Sequence, residues 1–391
     1  MAVGLPTVHE IHAAFKSNDD PRLPISPVFK QRAKLSPLLG AVVNRNVSSA
    51  KNLIEHGASP NSRGEYGDTA LMVAALNDDV PMTEMLLAHH ANVNVLAPDG
   101  ASALTFAAYT GHREICGLLV AQGANVNAGQ HNNFTPIVCA VIRGNLAIVD
   151  LLLQAGASPN VVNSKHDTPL RLAAIDGRLK IIKSLLDGGA DINARNYGGI
   201  TAVQEAVGHG NLEATKYLLM RGADPNLPDR FGVFPLMVAA RDLRFDICAL
   251  LLQFHADPNL RSTARKPLVF AVKFGYAELT RLLLVANADA NVRDQSGSTP
   301  LDLAARLRRA DLVQLLLDHG ADPAARDANK LTPLMIAARD GQTEIVRMLL
   351  IKGADVNDTA DGQTALSLAA KHHHNDIADI LKQSGASYSG H

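Results

Sequence analysis

The chain has 391 residues, 47% of them hydrophobic, and a formal net charge of -1, a balance that gives no electrostatic reason to expect nucleic acid or an acidic membrane as partner. No apolar run reaches the ~18 residues of a membrane span, and the first residues lack a signal-peptide layout. Three cysteines without a CxxC pair suit a reducing compartment, cytoplasmic or nuclear.

In chain order, residues 1–35 come first and resemble nothing else in the sequence. Residues 7–17 are expected to form a short helix with Val8, Ile11 and Phe15 on one face, a cap for the segment that begins at Ser36. His9, Glu10 and His12 lack the i,i+4 histidine spacing of a helical zinc site. From Ser36 onward the sequence is one stretch copied with edits. With residues 168–200 as reference, equivalents of Thr168 stand at Ser36, Thr69, Ser102, Thr135, Thr201, Phe234, Lys266, Thr299, Thr332 and Thr364. That makes eleven repeats of 33 residues, shortened to 32 before Lys266 and before Thr364. A fixed period of this length means a solenoid, so residues 36–391 are expected to form a single stack with no linker.

Within the reference repeat, Thr168 is the expected helix cap and Pro169 sits at the first helical turn, where its missing N–H costs nothing. Leu170, Ala173, Ala174 and Gly177 form an apolar face. Ile181, Leu185 and Leu186 recur at helical spacing in a second helix, which Gly189 ends in the left-handed conformation. Residues 193–199 are polar and glycine-bearing, as in a turn that projects toward the next repeat. An alanine equivalent to Ala173 stands in all eleven copies, from Ala41 to Ala369, which suits close helix approach. Cys116 and Cys248 share one slot of the second helix and Cys139 lies in a first helix, all three as small core residues.

Thr168-Pro169-Leu170, Ala173-Ala174, Gly177 and the run from Leu185-Leu186 through Gly189-Ala190-Asp191-Ile192-Asn193 carry a resemblance to the ankyrin repeat over about nine tenths of the chain. The resemblance implies an all-α repeat protein, an ankyrin-type solenoid of stacked helix-turn-helix units with short β-hairpin fingers. The histidine that usually follows Thr-Pro-Leu is replaced by Met72, Arg171, Met237, Asp302 or Met335, so its hydrogen bonding must be supplied otherwise. Arg45 occupies a glycine slot of the first repeat, and His90, His255 and Asn287 end second helices where glycine is usual. Phe234 in a cap position, Leu243 in a glycine slot and a short finger point to the weakest stacking, or a bend, over residues 234–270. The charged last helix reads as a terminal cap, and with few residues after it no added domain such as the SOCS box is expected.

The resemblance also implies that partners lie along a concave face formed by the fingers and the ends of the first helices. One column of residues, seven after each repeat start, runs Leu76, Tyr109, Ile142, Ile175, Gly208, Arg241, Lys273, Arg306, Arg339 and Lys371. A second, one residue before each start, includes Phe134, Asp167, Ile200 and Val233, with Tyr197 and Phe231 close by in the fingers. Together they predict an apolar, aromatic patch over repeats 3–7 and a basic stripe over repeats 7–11. The candidate partner residues are Tyr109, Phe134, Ile142, Ile175, Tyr197, Ile200, Phe231, Arg241, Lys273, Arg306, Arg339 and Lys371. The expected occupant is an extended protein segment with apolar anchors and acidic residues, bound by a monomeric, non-enzymatic scaffold or adaptor.

No phosphate-binding GxxxxGK[ST] loop is present, and Gly208-His209-Gly210 has Glu213 in the third glycine position of a dinucleotide fingerprint. His372-His373-His374 reads as a solvated turn cluster. No cofactor, metal or catalytic residue is therefore assigned. Two alternatives stay open: an enzyme or small-molecule site assembled around Tyr109, Phe134, His209 and Arg241, and an acidic-polymer or nucleic-acid site on the basic stripe.

Overall fold

A computed structural model describes residues 36–98, 100–129, 135–260 and 266–387. The expected helix over residues 7–17 and its capping role, the His9, Glu10 and His12 set, and Phe134 lie outside the described residues. Within them are twenty-two helices, two per repeat, as in Pro169–Ile175 and Leu179–Asp187. None is long and apolar enough to cross a membrane. The chain divides into two compact units, one ending at Gly222 and one beginning at Ala223. The first carries the helices of repeats 1–6 and the second those of repeats 7–11.

The repeat starts do cap the first helices. Thr168 accepts from the Arg171 N–H, and the hydroxyls of Ser36, Thr69, Ser102, Thr201, Thr299, Thr332 and Thr364 act in the same way. Each such cap stabilises by about 1 kcal/mol. Phe234 and Lys266, consecutive starts in the second unit, make no side-chain cap bond, and neither does Thr135. The alanine at the fifth position after each start is buried in every repeat. No larger side chain fits there without forcing the neighbouring helix away. In the second helix the Leu185 slot is buried in all repeats from Leu86 to Leu381.

Backbone conformation follows the repeat register even where the side chain resists it. Gly177 and Gly189 have φ of 63° and 88°. His90, His255 and Asn287 hold the second-helix slot at φ 62°, 64° and 63°, and Arg45 and Leu243 hold the first-turn slot at 54° and 57°. Left-handed residues other than glycine cost roughly 1–2 kcal/mol each, so the packing on either side imposes the conformation.

An asparagine ladder ties repeats together. In the first unit Asn127 Oδ1 accepts from the Ser158 N–H at 2.8 Å while its Nδ2 donates to the Gly156 carbonyl at 3.3 Å. Asn94 and Asn160 do the same one repeat before and after. In the second unit Asn226, Asn259, Asn291 and Asn357 repeat the arrangement. Ala324 occupies this slot in repeat 9 and can make neither bond.

The fingers are turns. Asp229 Oδ1 accepts from the N–H groups of Phe231 and Val233, at 2.8 and 2.9 Å, and Asn163, Asp294 and Asp327 close their fingers alike. Among the described residues β-pairing is limited to two isolated bridges, Arg63 with Thr69 and Ala360 with Gln363. A side-chain acceptor two residues back does the work of a strand ladder, so the expected β-hairpins are reduced to these bridges.

Candidate partner-binding surface

In the first unit the column at the ends of the first helices is more internal than its sequence suggests. Leu76 is buried, Ile142 and Ile175 are half-buried, and Tyr109 is only 4% exposed. The expectation of an exposed aromatic at Tyr109 is corrected here, because the Arg143 guanidinium lies 5.2 Å from its ring centroid. Burial raises the Tyr109 phenol, and Arg143 opposes that shift. The adjoining turns close the column from the other side. His112, Arg178 and Asn211 each reach back one repeat, to the carbonyls of Leu76, Ile142 and Ile175 at 3.1, 3.0 and 2.9 Å.

Next to this column lies a buried ion cluster. Arg171, in the slot of the missing histidine, pairs with Asp167 at 2.6 Å and with Glu205 of the next repeat. Asn196 and Asn163 donate to Asp167 at 3.0 and 3.2 Å. Burial works to raise the Asp167 carboxyl, but Arg171 and the two asparagines outweigh it and hold it below the usual carboxylate range. His209 contacts Glu205 through Nδ1 at 3.4 Å. Asp167 and Arg171 thus belong to the framework and offer a partner little.

The finger positions are different. Tyr197 is 70% exposed and tilts against His166, with ring centroids 5.0 Å apart; Ile200 is half-buried beside it. In the second unit Phe231 is 67% exposed, with Arg230 4.6 Å from its ring centroid. Turns hold both aromatic rings largely in solvent here, with these neighbours against them.

The basic column of the second unit is partly neutralised. Arg241 pairs with Asp242 and Arg339 with Asp340, each at 2.7 Å, and Arg306 pairs with the buried Asp327, 21 residues on. The Arg339 hydrogen bond lowers Asp340, and Arg241 does the same for Asp242. Lys273 and Lys371 are exposed with no ion-pair partner among the described residues.

A family model described as ankyrin repeats (3 copies) matches residues 38–130, 79–163, 137–229, 170–262, 236–327 and 324–389. The chain belongs to the ankyrin-repeat family. It is similar to the crystal structure of the human ASB11 ankyrin repeat domain, with 26% identity and a TM-score of 0.51 over 57% of this chain and 100% of that one. No curated protein matches it. Ankyrin repeats are in general protein–protein interaction modules.

Burial pushes the Cys116 and Cys248 thiols up to about 12 and raises Cys139 further. Among the described residues no group of three or more His, Cys, Asp or Glu side chains is placed to hold a metal ion. His374 Nε2 instead lies 3.0 Å from the Arg339 carbonyl. One group falls outside both columns: Phe245, Phe270, Phe274 and Tyr276 cluster in the second unit, with Phe274 exposed and the other three half-buried. Phe270 and Phe274 lie 4.8 Å apart, and Phe274 stacks on Tyr276 at 6.0 Å. Aligning the turn positions eight and ten residues after each repeat start would have found its two turn members, since no other described repeat has Phe, Tyr or Trp at both.

Proposed function

We propose that this ankyrin-repeat protein is a non-enzymatic scaffold or adaptor of the cytoplasm or nucleus that binds an extended partner segment along its concave face. The observation that carries this reading is the exposure of Tyr197 and Phe231 at finger positions, each in its own unit, set against framework groups such as Asp167, Arg171 and Glu205 that are paired with one another. Rigid repeats present such side chains already ordered, so the receptor loses little entropy on binding, and exposed aromatics are the residue type that dominates binding hot spots. In the first unit Ile200 adds apolar area beside Tyr197, and in the second Arg241, Lys273, Arg306, Arg339 and Lys371 would meet acidic residues of a partner segment.

The test compares proteins captured from cell extract by the intact chain and by a Tyr197→Ser, Phe231→Ser variant. Both side chains are exposed, so circular dichroism should be unchanged. Specific proteins lost with the variant support the reading. Capture of the same set by both would remove the finger aromatics from it, and capture by neither would count against a protein-binding role.

A further inference from the structure

The turns joining the two helices of repeats 7, 8 and 9, all in the second unit, form a continuous edge. Their sequences are Arg241-Asp242-Leu243-Arg244-Phe245, Lys273-Phe274-Gly275-Tyr276 and Arg306-Leu307-Arg308-Arg309. The rings of Phe245 and Tyr276 approach to 6.2 Å across the first junction. Across the second, Arg309 Nη1 donates to the Gly275 carbonyl at 3.0 Å.

Two properties set this edge apart from the other turns. The first is apolar exposure. Phe274 is 56% exposed, and Leu243 and Leu307 are exposed as well. In repeat 8 the position from which His112, Arg178, Asn211, Arg309 and His374 reach back to a carbonyl is Tyr276, whose ring instead joins Phe245, Phe270 and Phe274.

The second property is charge. The three turns carry Arg241, Arg244, Lys273, Arg306, Arg308 and Arg309 against Asp242. Asp242, Asp327 and Asp311 neutralise Arg241, Arg306 and Arg309. Lys273 has no ion-pair partner among the described residues, and Arg308 donates to the Asp340 carbonyl at 2.8 Å and lies near the Asp340 carboxylate, which Arg339 already engages.

We propose that this turn edge docks an acidic protein segment with apolar anchors, the anchors covering Leu243, Phe274 and Leu307 and the carboxylates meeting Lys273 and Arg308. Charge complementarity selects the occupant. Apolar side chains this exposed are desolvated favourably only by another apolar surface, and Lys273, which has no ion-pair partner among the described residues, together with Arg308, whose neighbouring Asp340 carboxylate is shared with Arg339, supplies the electrostatic half. With helix pairs roughly 8–10 Å apart, three turns span ~16–20 Å, the reach of about five or six extended residues. The aliphatic Leu243 and Leu307 and the adjoining carboxylates Asp242 and Asp311 suit a peptide better than a run of phosphates. The inference rests on the protein-binding reading and gives it a second site, apart from the fingers.

The test is selection of phage-displayed random linear peptides on the full chain, followed by affinity measurement with synthetic copies of the selected peptides. Selected peptides should combine Asp or Glu with large apolar residues. Their binding should weaken about tenfold or more with Phe274→Ser and with Lys273→Glu, persist with Tyr197→Ser, and fall between about 0.05 M and 0.3 M salt. Lys273→Glu removes no ring contact, so unchanged circular dichroism in that variant separates docking from folding. Peptides that bind all variants equally would overturn the turn-edge site and leave protein binding intact. An empty selection would overturn the inference, and the protein-binding reading falls with it only if the capture from cell extract is also empty. Binding of oligothymidylate or phosphatidylserine vesicles that is lost in the same two variants would assign the edge to a different ligand class and overturn the proposal.

Discussion

Replacing Arg171 by Met tests the ion cluster most directly, because Met72, Met237 and Met335 show that methionine fits this slot in other repeats and is buried there. The change keeps the apolar stem and removes only the guanidinium. It leaves Asp167 buried beside two asparagine donors and Glu205 with His209. Breaking a buried pair costs about 3–5 kcal/mol, and since the remaining donors keep part of the compensation, a loss of about 2–4 kcal/mol is expected. In guanidinium that is a midpoint fall of about 0.5–1 M for the first unit's transition. The pH dependence carries a sign. Asp167 is held below its ordinary value, so its contribution is present above the unfolded carboxylate pKa of about 3.9 and disappears as pH falls through the folded value. The gap between wild type and variant should therefore narrow on acidification below about pH 4. An Asp167→Asn, Arg171→Met cycle gives the coupling. A loss under about 1 kcal/mol, or a gap independent of pH, would refute the assignment of Arg171 as a structural replacement for the missing histidine.

Three further outcomes are expected of the framework. Ala324→Asn should restore the missing rung of the asparagine ladder and raise stability by about 1 kcal/mol, read as a later urea midpoint; a lower midpoint would show that the repeat 9 finger cannot present the side chain. His90→Gly, His255→Gly and Asn287→Gly replace exposed residues at φ 62–64°. Relief of about 1–2 kcal/mol each, less about 0.5–1 for glycine's entropy, should delay thermal unfolding, and the effects should add because the sites are repeats apart. Burial raises Asp302, partly opposed by the Thr299 hydrogen bonds. Its native form thus holds the proton more tightly than the unfolded chain, which favours the fold at low pH, a contribution lost as pH rises through the folded value. Relative to Asp302→Asn, wild type should lose stability as pH rises above about 4 and through the raised folded value; a flat difference would contradict the raised value.

Much of the framework was legible because its causes repeat along the chain. The caps from Ser36 to Thr364, the buried alanine of each first helix, and the left-handed backbone at His90, His255 and Asn287 each follow from a residue's place in a 33-residue period. So does the membership of an ankyrin stack. Local chain chemistry and near-neighbour packing fix these features, and both are written in adjacent residues.

What only the tertiary structure decided is where side chains go once repeats are stacked. Tyr109 reads as an exposed aromatic until Arg143, one repeat on, covers its ring. Arg171 finds its second carboxylate 34 residues away in Glu205, and Arg306 takes its charge partner from the finger of its own repeat in Asp327. The Phe245, Phe270, Phe274 and Tyr276 cluster gathers rings from two repeats. A repeat period states which backbone positions become neighbours; long side chains span several of those positions, and their direction is settled by the rotamers and partners available across the junction. The sequence by itself therefore determined the scaffold, and the stacked structure decided which of its side chains were left to meet a partner.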